Sequence, residues 1–469
     1  VQRFEYSFKD FAPHFDKVLS NIKASAEKYG RVFYLEYDFT GSANKAFSDN
    51  IKADFLRVKN EMKLFDSKSY LHENGKPVIE LWGIGLSDSD KQSPQNTLDI
   101  IRWFQSQGCY VIGGVDAGWR ENSYGNAKDS GYDEIYNAFD MLNPWTVGRY
   151  KNLSGVEKYS GIMKEDVKVC KARNQDFMPV IYSGHSWSNW YPGDPKPNGI
   201  PRRAGEFIWE QFKNAVGNEA DTIFIAMFDE YDEGTSIAKA ASDSLSIPMQ
   251  NNAYFLTLSA DGTYCSTDYY LRLVGQMNKI MKKKADLTNE ITVETAAHPI
   301  WLQTGFEKGY DVYFRNIPEK DSAANFEGAI ESVKNEKFKT RETGIKLSGK
   351  GTGESSVCYS MLDGLNIKVT KDMRISYHQY AETIGGQRVS IELTTTDGQK
   401  LSSTAAAKMD PLVPGKLHSE LQKWTKLSFP IGEYLDGKTI ETISLTYHNK
   451  GEEEVICYID DLTIYNGKQ

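Results

Sequence analysis

Cysteine is scarce, with five in 469 residues (Cys109, Cys170, Cys265, Cys358 and Cys457). None stands in a Cys-x-x-Cys pair, which excludes a zinc ribbon and a disulfide-dense scaffold. Histidine is as thin: the seven are scattered, and no His-x-His or His-x-x-x-His word occurs. A metal-dependent hydrolase such as a deacetylase is therefore disfavoured, and neither metal nor cofactor is expected. No apolar run approaches the roughly 20 residues that a membrane-spanning helix needs. Excess positive charge is missing too, since the net charge is −9 with both signs interspersed. Nothing advertises a surface that would neutralise phosphates, so nucleic acid is excluded as a partner. Neither Gly113-Gly114 nor Gly83-Ile-Gly85 has the spacing or the following Lys-Ser of a phosphate cradle. Repeats and low-complexity tracts are absent. The chain begins at Val1, not Met, which suggests that a leader or expression tag has been removed; an extracytoplasmic setting, whether periplasmic, secreted or cell-surface, is a separate expectation.

What is present is a globular composition, 40% hydrophobic and 25% charged, and long enough for two domains. Aromatic residues reach 12%, with 27 Tyr, 22 Phe and 9 Trp, and such rings suit the apolar faces of sugars. From about residue 30 to 285 short apolar runs alternate with amphipathic stretches, the pattern of βα units. The run Arg31–Tyr37 leads to a helix carrying Ile51, Phe55, Val58, Met62 and Phe65, with Ser48 as its N-cap. The next, Pro77–Trp82, leads to a helix opened by Thr97 and closed by Gly108. Further runs lie at Cys109–Ile112, Phe177–Tyr182 and Thr222–Phe228. Residues 1–300 are thus expected to form a (β/α)8 TIM barrel. Beyond 300, short alternating segments such as Gly386–Thr394, Thr442–Tyr447 and Cys457–Tyr465 predict an all-β sandwich over 301–469. The lysines Lys282–Lys284 fit the solvated end of a helix.

Residues just after barrel strands line an active face, and these are rich in chemistry. Tyr37, Trp82, Asp116, Trp119, Arg120, Trp145, Tyr182, His185 and Trp187 are the candidate substrate-binding set. Arg120 is equally suited to a structural ion pair, and His185 to a packing role satisfied by backbone. Gly113-Gly114 before Asp116 would let backbone approach a ligand. The run Thr222–Phe228 leads into Asp229-Glu-Tyr-Asp-Glu-Gly-Thr235, with four carboxylates in five positions. Breaking a glycosidic bond needs one carboxyl that gives a proton to the leaving oxygen and a second that assists attack on the anomeric carbon. Glu230 and Glu233, three residues apart, meet that demand, and their repulsion would hold a proton on one of them. The competing use is capping of a helix around Thr235, Ile237 and Ala238, the better expectation for Asp229 and Asp232.

The words Tyr70–Gly85, Val111-Ile-Gly-Gly-Val-Asp-Ala-Gly-Trp-Arg120, Pro144–Tyr150 and Ala226–Thr235 resemble the glycoside hydrolase family 71/99-like proteins of bacteria over about residues 30 to 285. In the family 99 endo-α-mannosidases the last word is Glu-Trp-His-Glu-Gly, and the resemblance implies that Glu230 and Glu233 are catalytic. It further implies a substrate 2-hydroxyl as nucleophile, assisted by Glu230, with Glu233 as acid and base. This chain departs in Phe33-Tyr-Leu-Glu-Tyr37 and in Glu230-Tyr-Asp-Glu233, so the family's sugar-reading residues do not carry over. The C-terminal part resembles the jelly-roll carbohydrate-binding modules of carbohydrate-active enzymes; Asp460-Asp461 is too short a signal for calcium. The expected function is a glycoside hydrolase cleaving α-linked glycans, α-mannan-like or other polysaccharide, with a sugar polymer as its partner. The alternative is a barrel that binds polysaccharide without catalysis.

Overall fold

Short runs of Val, Ile, Leu and aromatic residues, each flanked by glycine or a polar turn, form parallel strands that follow one another in sequence order. The computed structural model describes residues 1–5, 9–40, 46–86, 92–120, 132–191, 198–242, 247, 255–261, 263–295, 300–306, 320–340 and 342–467. They fall into two units, Val1–Tyr182 with Glu210–Ala226, and Ser183–Trp209 with Met227–Gln469.

In the first unit the strands are β1 (Gln2–Arg3), β2 (Leu35–Asp38), β4 (Lys76–Ile84), β5 (Tyr110–Asp116), β6 (Met141–Trp145) and β7 (Asp176–Phe177), with the short β3 (His72–Glu73) antiparallel on β4. Two residues after β7 the chain re-enters strand as β8 (Val180–Tyr182), which pairs in parallel with β9 (Phe224–Ala226). Helices α1 (Ala12–Tyr29), α2 (Phe47–Asn60), α3 (Pro94–Ser106), α4 (Tyr132–Ala138), α5 (Leu153–Ala172) and α6 (Glu206–Gly217, assigned to this unit from Glu210 on) lie between these strands in the chain. This is the winding of a TIM-type barrel. The array begins before the run at residue 31: β1 precedes it, pairing Gln2 with Glu36. Ser48 lies inside α2, whose N-cap is Ala46. The cap of α3 is Ser93, whose hydroxyl accepts from the Asn96 amide at 3.2 Å, not Thr97. Gly108 follows α3 at φ +85, the left-handed turn that glycine tolerates. Val78, Tyr110, Ile112 and Met141, from successive strands, form one apolar cluster with Met178, which lies between β7 and β8.

The second unit carries α7 (Tyr269–Met281), followed by the exposed lysines 282–284, and, among the described residues, nine antiparallel strands. These are β10 (Ile300–Thr304), β11 (Lys320–Lys334), β12 (Thr343–Leu362), β13 (Ile367–Lys368), β14 (Met373–Ala381), β15 (Ser390–Thr395), β16 (Trp424–Phe429), β17 (Thr439–Asn449) and β18 (Glu453–Asn466). The long β12 pairs with β18 through Ile345–Gly351 and with β17 through Ser355–Leu362. One strand thereby feeds two sheet branches, and a single core drawn from both, including Ile345, Ile375, Leu393, Leu445 and Ile459, makes the sandwich. The alternation of β18 breaks once: buried Val455, Cys457 and Ile459 give way to Leu462 and Ile464 across Asp461, which sits at φ +51. A one-residue shift restores the inward face. All five cysteines are buried thiols. No helix among the described residues is long and apolar enough to cross a membrane.

Candidate active site

Residues 183–191, which follow β8 in the chain, and 227–238, which follow β9, are stitched together within the second unit. The Ser183 hydroxyl donates to the Thr235 carbonyl at 2.8 Å, the Ser186 amide to the Glu233 carbonyl at 2.7 Å, and Asn189 Nδ2 to the Asp232 carbonyl at 2.6 Å. The second loop closes on itself through Ala238 N–H to Phe228 O at 2.8 Å. Its tip is a turn in which the Gly234 amide donates to Tyr231 O, and Gly234 takes φ +67. From behind, the buried Arg202 guanidinium donates to the carbonyls of Gly234 at 2.7 Å and Ser236 at 2.8 Å while lying over the Tyr270 ring at 4.6 Å. These bonds fix where the two glutamates point. No helix starts at Thr235, so capping is not the use of these acids; Asp229 and Asp232 are exposed on the tip.

The two carboxylates occupy different environments. Glu233 is held by nitrogen donors on both oxygens: His185 Nε2 donates to Oε2 at 3.0 Å and Trp190 Nε1 to Oε1 at 2.8 Å. Burial pushes its pKa upward, but these hydrogen bonds and the His185 charge outweigh burial and hold it below the usual carboxylate range. Among the described residues Glu230 has one hydroxyl partner, Thr235 Oγ1 at 2.6 Å. Burial, then the neighbouring Glu233 charge, raises Glu230 to about 7, with smaller pushes from Asp232 and Asp229. One member of the pair therefore holds its proton up toward neutral pH while the other is already ionised. In the same two loops Trp190, Tyr191, Phe228 and Tyr231 expose 66%, 66%, 59% and 40% of their surface, which leaves ring faces open for stacking. The Trp187 ring packs on His185 at 4.3 Å between centroids. His185 Nδ1 is buried and has no hydrogen-bond partner among the described residues.

Of the expected set, the structure thus brings together Glu230, Glu233, His185 and Trp187. The remaining candidates lie in the first unit and divide. Trp82 and Trp145 are half-buried and meet edge to face at 5.0 Å, and Asp116 accepts from Arg149 at 3.0 Å and from the Gly118 amide at 2.8 Å. Tyr37 and Tyr182 are corrections: both are fully buried, Tyr37 donating to Asp54 at 3.0 Å and Tyr182 to the Tyr150 carbonyl. Trp119 is buried against Tyr136, and Arg120 is committed to the buried Asp166 at 2.9 Å. The glycines before Asp116 serve packing rather than a ligand: a Cβ on Gly113 would stand 2.5 Å from the Phe139 ring, and one on Gly114 2.5 Å from Trp82. Trp190, the second Trp of the stretch Gly184-His-Ser-Trp-Ser-Asn-Trp190 that suggests sugar stacking, stands outside the candidate set, and Thr235 is expected only in a capped helix. Arg202 had no signal, because its partners are carbonyls.

Among the described residues no group of three or more His, Cys, Asp or Glu is arranged to hold a metal. No family model matches the sequence, and no curated protein matches it. Solved structures similar to this chain include a family 99 endo-α-mannosidase from Bacteroides thetaiotaomicron, 15% identical over 61% of this chain and 79% of that one, with a TM-score of 0.45. Another is a glycoside hydrolase-like protein, 14% identical, covering 52% of this chain and 70% of that one at a TM-score of 0.34. A third is the xylan-binding domain CBM22-1 from Paenibacillus barcinonensis Xyn10C, 13% identical, covering 38% of this chain and 99% of that domain at a TM-score of 0.22.

Proposed function

We propose that the chain is a glycoside hydrolase that cleaves α-linked glycans through Glu230 and Glu233, without metal or cofactor. The observation that carries this reading is the unequal pair on one braced turn: a proton-holding Glu230 and a Glu233 kept ionised by His185 and Trp190. Two-carboxylate hydrolysis needs that division. Glu230 gives its proton to the glycosidic oxygen as the bond to the anomeric carbon breaks. Glu233 accepts a proton from the attacking hydroxyl, whether of water or of the sugar, so charge and protons balance. The exposed rings of Trp190, Tyr191, Phe228 and Tyr231 offer stacking surface for the flanking sugars. A polymeric substrate of this kind goes with an extracytoplasmic place of action.

The resemblance to family 99 implies the reverse division of labour, and one experiment separates the two. Glu230→Gln and Glu233→Gln are assayed on an α-linked oligosaccharide and on the matching glycosyl fluoride, whose departure needs no proton. Loss on both substrates in Glu233→Gln, with activity on the fluoride surviving in Glu230→Gln, supports Glu230 as the acid and Glu233 as the base; the opposite pattern reverses the roles. Full activity in both variants removes the pair from the chemistry, and absence of hydrolysis in the parent chain removes the enzyme reading and leaves a glycan-binding protein.

A further inference from the structure

Three strands of the first unit end in side chains that the carboxylate chemistry does not use. Val78, Ile112 and Met141 share one apolar cluster, which marks the inward face of β4, β5 and β6. A period of two carries that face along the strands to Trp82, to Gly114 and Asp116, and to Trp145. The pairing agrees, with Trp82 opposite Gly114 and Asp116 opposite Trp145. These positions lie toward the carboxyl ends of the strands, where parallel barrels present their chemistry. Trp82 and Trp145 meet edge to face there at 5.0 Å and stay half-buried, so neither indole is sealed into the core.

A short turn after β6 brings Arg149 to the same place. The buried Thr146 hydroxyl donates to the Val180 carbonyl at 2.8 Å, the Arg149 amide closes on the Thr146 carbonyl at 3.0 Å, and Gly148 supplies the left-handed step at φ +79. The guanidinium then meets Asp116, a side chain with no exposed surface, through Nη2 at 3.0 Å. No other bond of the Arg149 side chain occurs among the described residues. Guanidinium carries a fork of several N–H donors, so most of its bonding capacity is unspent. Nε is buried without a partner, yet 27% of the side chain remains open. One carboxylate thus aims the fork, and its open edge faces no protein acceptor.

An indole face and an open N–H fork side by side suit one kind of partner, a ring that is apolar on its face and bears oxygen acceptors on its rim. A pyranose has both: its C–H face packs on the indole while a rim oxygen accepts from the guanidinium. Asp116 opposite the guanidinium cancels its charge, so a uronate gains little there over an uncharged sugar. We propose that Arg149 is a glycan-binding residue of the first unit, holding a hydroxyl oxygen of an uncharged pyranose that stacks on Trp145. The proposal rests on the glycoside hydrolase reading for the identity of the ligand. Arg149 takes no part in bond breaking on this account, so it sets affinity and leaves the chemical step alone.

The test uses the full chain carrying Glu233→Gln, so that bound glycan is not turned over. Probes are α-mannotetraose, maltotetraose and nigerotetraose, with trigalacturonate as the charged control. Binding is read by calorimetry and by the NMR signal of the Trp145 indole N–H, identified by its loss in Trp145→Phe. Expected is that at least one neutral probe binds and shifts that signal, and that trigalacturonate binds no more tightly. Affinity falls at least about tenfold in Arg149→Met, or about 1.4 kcal/mol. It falls likewise in Arg149→Lys, which keeps a charge for Asp116 and so preserves the fold but cannot reproduce the planar fork. A purely structural ion pair would instead lower the melting temperature of Arg149→Met and leave affinity alone. The proposal is overturned if no neutral probe binds, if the Trp145 signal stays fixed at saturation, if trigalacturonate binds more tightly, or if affinity survives in the folded Arg149 variants. Hydrolysis by the parent chain is scored separately. Hydrolysis with Trp145 unmoved removes the role of Arg149 alone, whereas binding that depends on Arg149 in a chain without hydrolysis keeps this site and removes the enzyme reading.

Discussion

Trp190 does two things at once: its indole N–H holds Glu233 Oε1 at 2.8 Å while 66% of its surface faces solvent. Trp190→Phe keeps a stacking face and deletes the donor. A hydrogen bond to a charged group contributes about 1.5–3 kcal/mol when well buried, and the exposure of this residue places the loss nearer about 1 kcal/mol. At about 1.4 kcal/mol per pH unit, that is roughly 0.7 unit. Because the bond favours ionised Glu233, losing it raises the Glu233 pKa toward the ordinary carboxylate value. The acid limb of the kcat/KM profile therefore moves up by roughly half to one unit. The alkaline limb, set by Glu230 at about 7, stays where it is, and KM changes less than about twofold because the ring remains. Trp190→Ala, which also removes the stacking surface, adds a rise in KM. An acid limb that does not move in Trp190→Phe, measured with buffers of constant ionic strength, refutes the assignment of Trp190 as the donor that keeps Glu233 charged.

The proton on Glu230 has a stability signature. It is held to about pH 7 in the folded chain against 4.5 for the free side chain, so between those values the unfolded state binds fewer protons and stability falls as pH rises. The full span is worth on the order of 3 kcal/mol at most, less after solvent screening of a partly exposed group. Glu230→Gln should accordingly melt about 2–4 °C above the parent near pH 8 and level with it near pH 4; equal melting at both would show that Glu230 is not the strained acid. Arg202→Met removes two bonds to the turn's carbonyls and the contact with Tyr270. It should cost about 3 kcal/mol and cut kcat without moving either pH limb, and unchanged kcat would dissociate the brace from the chemistry. In the first unit Asp54 joins the buried Arg3 at 2.7 Å to Arg57 at 2.9 Å and to the Tyr37 hydroxyl. Asp54→Ala should destabilise by about 3–5 kcal/mol in chemical denaturation, because it strips a buried guanidinium of its main partner; a loss below about 1 kcal/mol would mean water replaces the carboxylate.

Much of the architecture was legible because period and punctuation are local properties. The apolar runs ending at Trp82, Tyr182 and Phe228 became β4, β8 and β9, and Gly108 closed α3 as its φ of +85 requires. One error was local: the N-cap of α3 went to Ser93 rather than Thr97, a shift of one turn that hydrophobic period cannot resolve. Others fell where the deciding partner is distant in sequence. Tyr37 and Trp119 stand at strand ends as a ligand-facing residue would, yet the packing of Asp54 and Tyr136 takes them inside. Gly113 and Gly114 looked like room for a ligand and are room for Phe139 and Trp82. The bulge at Asp461 was hidden for the same reason: an alternating pattern shows that one face is buried, not where its phase slips.

By itself the sequence determined the class of each half, through alternation of period, and the short span in which two glutamates three residues apart must share surroundings. Only the tertiary structure decided that they differ. A pKa depends on which groups lie within a few ångströms, and the donors that hold Glu233 ionised, His185 and Trp190, come from a loop more than 40 residues earlier in the chain. Glu230 keeps its proton toward neutral pH because burial and the neighbouring Glu233 charge oppose its ionisation, and among the described residues one hydroxyl, Thr235 Oγ1, donates to it.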